Sequence, residues 1–122
     1  MKTKIYFKKS RFYIEVFLWK SREELHKKAG GKKDYGAIYK PKAYIIFPRL
    51  KINSKLGEIH FYKGRTGVGL LSHEVLHCIF DWWEKSHKGI ELENHDDQEK
   101  ACYYQGELVR KIANWLIKIK EW

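Results

Sequence analysis

The chain has 122 residues, 43% of them hydrophobic and 16% aromatic, with a formal net charge of +10. Such a length and apolar content suit a single globular domain spanning 1–122 and exclude a disordered chain. No apolar run reaches the length of a membrane helix, and two cysteines are too few for a disulfide-framed scaffold.

In chain order, two strands come first. Lys4 to Lys8 and Phe12 to Trp19 carry apolar side chains at every second position, with Lys9-Ser10-Arg11 as the turn. Ser21-Arg22-Glu23-Glu24 is a capping box that opens a short helix, which Gly30-Gly31 ends near Ala29. Gly36 to Phe47 gives a third strand, with Pro41 marking a bulge or an edge. A basic connector runs from Pro48 to Lys55, and Gly57 to Tyr62 gives a fourth strand. Helices follow at about 67–86 and from about Asp97 to Lys120, joined by a polar loop. Strands and a small helix followed by two helices predict an α+β fold: a small antiparallel or mixed sheet packed on a core helix and a long C-terminal helix. Cys78 and Cys102 both fall in predicted helices and are expected to be small buried hydrophobes.

The Met1-Lys2-Thr3-Lys4 start resembles the head of a signal peptide, but Lys8, Lys9, Arg11 and Glu15 interrupt any apolar stretch after it, so a cytoplasmic location is expected. The 25 Lys and Arg residues are spread along the chain. They serve as a solubilising surface or draw the protein toward an acidic partner or nucleic acid.

The most informative stretch is His73-Glu74-Val75-Leu76-His77, an HExxH motif. Residues four apart stack on one helical face, so the two imidazoles aim at one point, as a zinc ion requires. Glu74 is turned about 100° from His73, close enough to take a proton from a metal-bound water without ligating the metal. The surrounding residues 68–83 are apolar on nearly every side, which predicts a core helix. A catalytic zinc takes three protein ligands and keeps one position open. Glu99 is the first choice for the third. It flanks an edge of small residues, Cys102, Gly106 and Ala113, along which a neighbouring helix could approach. The competing reading makes Glu99 the N3 member of a capping box with Asp96 as N-cap. His95 and, more distantly, His87 are the other donors within reach in sequence.

HEVLH on an apolar helix, followed by a second helix bearing Gln98-Glu99-x-x-x-Tyr103-x-x-Gly106, resembles the minimal zincin peptidases of the gluzincin type. Small phage-encoded HExxH proteins and ImmA/IrrE-type peptidases are similar over about residues 66–113. The resemblance implies a zinc-dependent metallopeptidase with His73, His77 and Glu99 as ligands and Glu74 as general base. The larger gluzincins carry an acidic residue one turn after the ligand Glu; here that position is Tyr103, and Asp81 is the alternative support for an imidazole. Tyr103 is also the candidate donor to the oxyanion of the tetrahedral intermediate, against an ordinary packed tyrosine. His60 and Tyr62 lie on the strand before the helix, the strand expected to pair with an extended protein or peptide substrate. The alternatives are a non-catalytic zincin-like module binding nucleic acid or a protein partner, and a SprT-like protease acting on DNA-bound proteins, with His95 as third ligand.

Overall fold

The computed structural model describes residues 1–7, 12–30, 36–41, 54–86 and 95–122. The expected turn at 9–11, the second half of the third strand and the connectors at 48–53 and 87–94 lie outside the described residues, as do His87 and the side chain of His95.

Four strands form one mixed sheet: β1 (Lys2–Tyr6), β2 (Phe12–Trp19), β3 (Ala37–Pro41) and β4 (Ser54–Tyr62), in the order β1-β2-β4-β3. β1 runs antiparallel to β2, β2 parallel to β4, and β3 antiparallel to β4. The fold is α+β, as the order of elements predicts. Period-two alternation decides the two faces of the sheet. Ile14, Val16 and Leu18 of β2, with Ile59 and Phe61 of β4, point into the main core. Against that face lie α2 (Val68–Ser86), through Leu71, Val75, Cys78 and Ile79, and α3 (His95–Lys118), through Leu108, Ile112 and Leu116. On the opposite face α1 (Arg22–Ala29) packs Leu25 and Ala29 on Ile38, Trp19 and Tyr62.

The ends of α1 follow the sequence signals. The Ser21 hydroxyl accepts the Glu24 N–H at 3.1 Å, and the Glu24 carboxylate accepts the Lys20 N–H at 2.8 Å. Gly30, at φ +79°, donates its N–H to the His26 carbonyl in a conformation that a side chain disfavours. By contrast, α3 begins at His95, so Asp96 lies inside its first turn and does not cap it.

Three expectations about the helices are corrected. α2 is not buried all round, since Val68, Leu76 and Phe80 are exposed. Cys102 is exposed, and only Cys78 is a buried small hydrophobe. Cys102 and Gly106 therefore do not form the line of approach between helices: a Cβ at Gly106 would meet nothing within 4 Å. The contact instead brings Tyr104 onto Trp82, ring centroids 4.7 Å apart, because aromatic rings offer more area to bury than the small-residue edge does. At the other end, the Thr66 hydroxyl donates to the Glu121 carbonyl at 2.5 Å. These two contacts fix an antiparallel register between α2 and α3.

Candidate metal centre

The 3.6-residue period of α2 turns Leu71, Val75, Cys78 and Ile79 to the core and leaves His73 and His77 at the surface beside β3. The two imidazoles converge, with Nε2 of His77 3.2 Å from Nε2 of His73 and the rings nearly perpendicular. Two nitrogens at tetrahedral positions 2.0–2.1 Å from one zinc ion lie about 3.3 Å apart. The separation and the donor type thus fit a shared metal ion.

Glu74 is the buried member of the motif, at 5% exposure. Burial pushes its carboxyl up from the ordinary range, while His73, His77 and a backbone hydrogen bond from Tyr39 pull it back. Tyr39 is not among the residues that the motif points to. Its backbone N–H donates to Glu74, and its phenol donates to Asp81 Oδ2 at 2.6 Å. One residue thus ties the edge strand β3 to α2 at two points. Burial, first of all, together with the neighbouring Cys78 and Asp81, pushes the Tyr39 phenol far up, so it stays a hydrogen-bond donor. Asp81 accordingly acts as an acceptor for β3. Gly57 makes this possible: a Cβ there would lie 2.6 Å from both the Tyr39 hydroxyl and the Lys40 carbonyl oxygen. A glycine inside a strand pattern is a sequence signal for close approach, and it was the available clue to Tyr39.

A cavity of about 480 Å³ opens between β3 and α2, lined among others by Ile38, Tyr39, His73, Glu74, His77 and Phe80. Among the described residues β3 is a terminal strand of the sheet, as is β1, whereas β4 is paired on both sides by β2 and β3. The expectation that the strand bearing His60 and Tyr62 receives an extended substrate is therefore corrected; no edge of β4 is open along that stretch. His60 is buried on the far face, accepting the Trp19 indole N–H at Nδ1 and lying 3.0 Å from Glu58 at Nε2.

Glu99 and Tyr103 are exposed on α3, and Tyr103 is not among the cavity-lining residues; its ring meets that of Tyr104 edge-on. The register set by Trp82 with Tyr104 and by Thr66 with Glu121 puts His77 level with about Val109. Glu99 is then about ten residues, or roughly 15 Å, further along. Among the described residues no group of three or more His, Cys, Asp or Glu is placed to hold a metal ion. His73, Glu74 and His77 come together as the motif implies, and no third ligand joins them among the described residues. No helix among the described residues is long and apolar enough to cross a membrane. Neither a protein family, nor a curated protein, nor a solved structure matches the chain.

Proposed function

We propose that the chain is a zinc-dependent metallopeptidase of minimal zincin type that hydrolyses peptide bonds of a protein substrate. The observation that carries this reading is the 3.2 Å convergence of the His73 and His77 Nε2 atoms beside a buried carboxylate in an open cavity. When bound, zinc supplies Lewis-acid polarisation of a carbonyl and a lowered pKa for its water. Glu74 takes the proton of the attacking water and delivers it to the leaving amine. Its raised affinity for a proton, caused by burial, suits both halves of that transfer. The Tyr39 N–H holds the carboxylate in place, so its orientation does not depend on the incoming substrate. An extended segment of substrate adds to the outer edge of β3, which runs along the cavity.

Glu99 is the proposed third ligand, on the resemblance of Gln98-Glu99-x-x-x-Tyr103-x-x-Gly106. Glu99 would hold the metal together with His73 and His77. Tyr103, one turn after Glu99, is the proposed oxyanion donor.

Glu74→Gln tests the mechanism on an unstructured protein substrate with zinc supplied. The amide is nearly isosteric and still accepts the Tyr39 N–H, but it cannot act as a base. Hydrolysis is expected to fall about 10²- to 10⁴-fold with zinc content unchanged. Wild-type turnover by this variant rules out Glu74 as base. Bound zinc without hydrolysis in either protein favours the non-catalytic module.

A further inference from the structure

The sheet face turned away from the candidate metal centre has its own chemistry. Among the described residues, α1 is the element packed on it, and it covers only the end formed by Ile38, Trp19 and Tyr62. Further along, aromatic and ionic rows alternate across the strands. Tyr6 of β1 pairs with Tyr13 of β2, ring centroids 5.4 Å apart. Two residues on, Lys4 pairs with Glu15; two further, Lys2 pairs with Phe17, whose ring stacks on His60 at 4.6 Å and 7°. The lysines stand over the rings, Lys4 over Tyr13 at 5.1 Å and Lys2 over Phe17 at 5.8 Å.

The two carboxylates of this face are ion-paired, Glu15 lying also 3.6 Å from the Lys2 ammonium. Glu15 bonds Lys55 at 2.6 Å, and Glu58 bonds the same ammonium group. The Glu15 side chain is 12% exposed against 65% for Lys2, and Tyr6 is 44% exposed. At the β1 side of this face a partner therefore meets the Tyr6 ring and the Lys2 ammonium before the Glu15 carboxylate. Tyr13 and Phe17 are four residues apart on β2, about 13 Å, which is room for a few stacked bases.

We propose that this face of the sheet, beyond α1 among the described residues, binds single-stranded nucleic acid, bases stacking on Tyr6, Tyr13 and Phe17 and phosphates meeting Lys2, Lys4 and Lys40. Rings and cations together are what a single strand uses: a π-face for each base and a charge for each phosphate. An acidic peptide would engage the lysines and leave the rings idle. A duplex would bury its bases away from them. The net charge of +10 adds long-range attraction to any polyanion, so the rings are what make the site selective.

The test is fluorescence anisotropy of a fluorescein-labelled dT12 with the full chain, over a salt series. Wild type is expected to bind saturably, with affinity falling as salt rises. Tyr6→Ala is expected to weaken binding about 5- to 100-fold, with Tyr6→Phe close to wild type. Circular dichroism and thermal melting verify that each variant is folded. Lys2→Gln/Lys4→Gln is expected to reduce the log–log salt slope by about 1.4. Lys100→Gln/Lys118→Gln, which removes the same charge from α3, is expected to leave it unchanged. The proposal is overturned by absence of binding at low salt, by an unchanged affinity in Tyr6→Ala, by equal loss in the two lysine pairs, by tighter binding of a duplex of the same length, or by displacement of dT12 by polyglutamate at equal charge.

Discussion

The two faces of the sheet treat their carboxylates in opposite ways. On the α2 side Glu74 is buried beside two imidazoles, receives one backbone N–H and has its carboxyl pushed up by burial. On the far side Glu15 and Glu58 share the ammonium of Lys55. A hydrogen bond from Lys55 holds Glu15 below the ordinary range; for Glu58, burial raises the carboxyl, and the bonds from Lys55 and His60 outweigh it. Lys55 in turn is pulled down by burial and held higher by its two carboxylates. A carboxylate with a full set of charged partners serves as structure. A carboxylate buried with little compensation keeps a tendency to take up a proton, which is what a general base needs. The comparison teaches that burial of a carboxylate does not by itself indicate chemistry; what matters is whether its charge has been neutralised.

Four measurements sharpen this contrast, beginning with the largest effect on stability. Gly57→Ala forces a methyl group into the Lys40 carbonyl and the Tyr39 hydroxyl. Its expected cost lies toward the upper end of about 1–3 kcal/mol, because one of the atoms met is backbone. Chemical denaturation of this variant beside Gly106→Ala, whose Cβ would meet nothing, separates close approach from a general glycine effect. The Gly106 variant is expected to gain up to about 1 kcal/mol. A small loss at Gly57 would mean that β3 is not clamped onto α2 through Tyr39.

Tyr39→Phe removes the phenol's hydrogen bonds to Asp81 and Cys78 and keeps the ring and the N–H to Glu74. About 1.5 kcal/mol of stability is expected to go, since the acceptor is charged and only partly buried. Zinc stoichiometry should stay at the wild-type value. Loss of zinc in this variant would show that Tyr39 holds the histidines as well as the carboxylate.

The smallest effects are in pH dependence, and here the two faces should diverge in sign. Glu15 and Glu58 have depressed folded-state values, so their contribution is complete above the unfolded carboxylate range and is lost as pH falls through the folded values. His60 is held low, burial being the main cause. The unfolded chain takes up its proton first, below about pH 6.5, so this too lowers stability as pH falls. Glu74 acts the other way: its value is raised on folding, so its contribution is present below the unfolded range and lost as pH rises through the folded value. In metal-free protein at pH 7, Glu58→Gln is thus expected to cost about 1 kcal/mol or less, the usual scale of a half-exposed ion pair. Glu74→Gln should raise the melting temperature. If both variants lower it, burial of Glu74 is compensated and the contrast between the faces fails.

Local signals were readable from the sequence; relations between distant elements were not. Ser21 and Gly30 bound α1 because capping and positive φ are decided within a few residues. The pairing of His73 with His77 follows from helical period alone. The sheet order did not follow, because nothing within Gly57–Tyr62 states that β2 and β3 flank β4. The strand expected to pair with a substrate, β4, is therefore an internal one. The small residues on α3 misled for a related reason: Cys102 and Gly106 permit a close helix contact, but the larger burial offered by Tyr104 against Trp82 sets the register. Tyr39 lies far from the motif in sequence and reaches it only because β3 is the sheet's terminal strand beside α2.

His73 and His77 are proposed as the core of a zinc site. A competition titration against a zinc chelator tests it on the wild type, on His73→Ala/His77→Ala and on Glu99→Ala. One zinc per chain is expected for wild type, none for the double variant and a weakened site for Glu99→Ala. Unchanged affinity in Glu99→Ala would remove that residue from the site and leave the two histidines standing. Stoichiometric zinc retained by the double histidine variant would contradict the account.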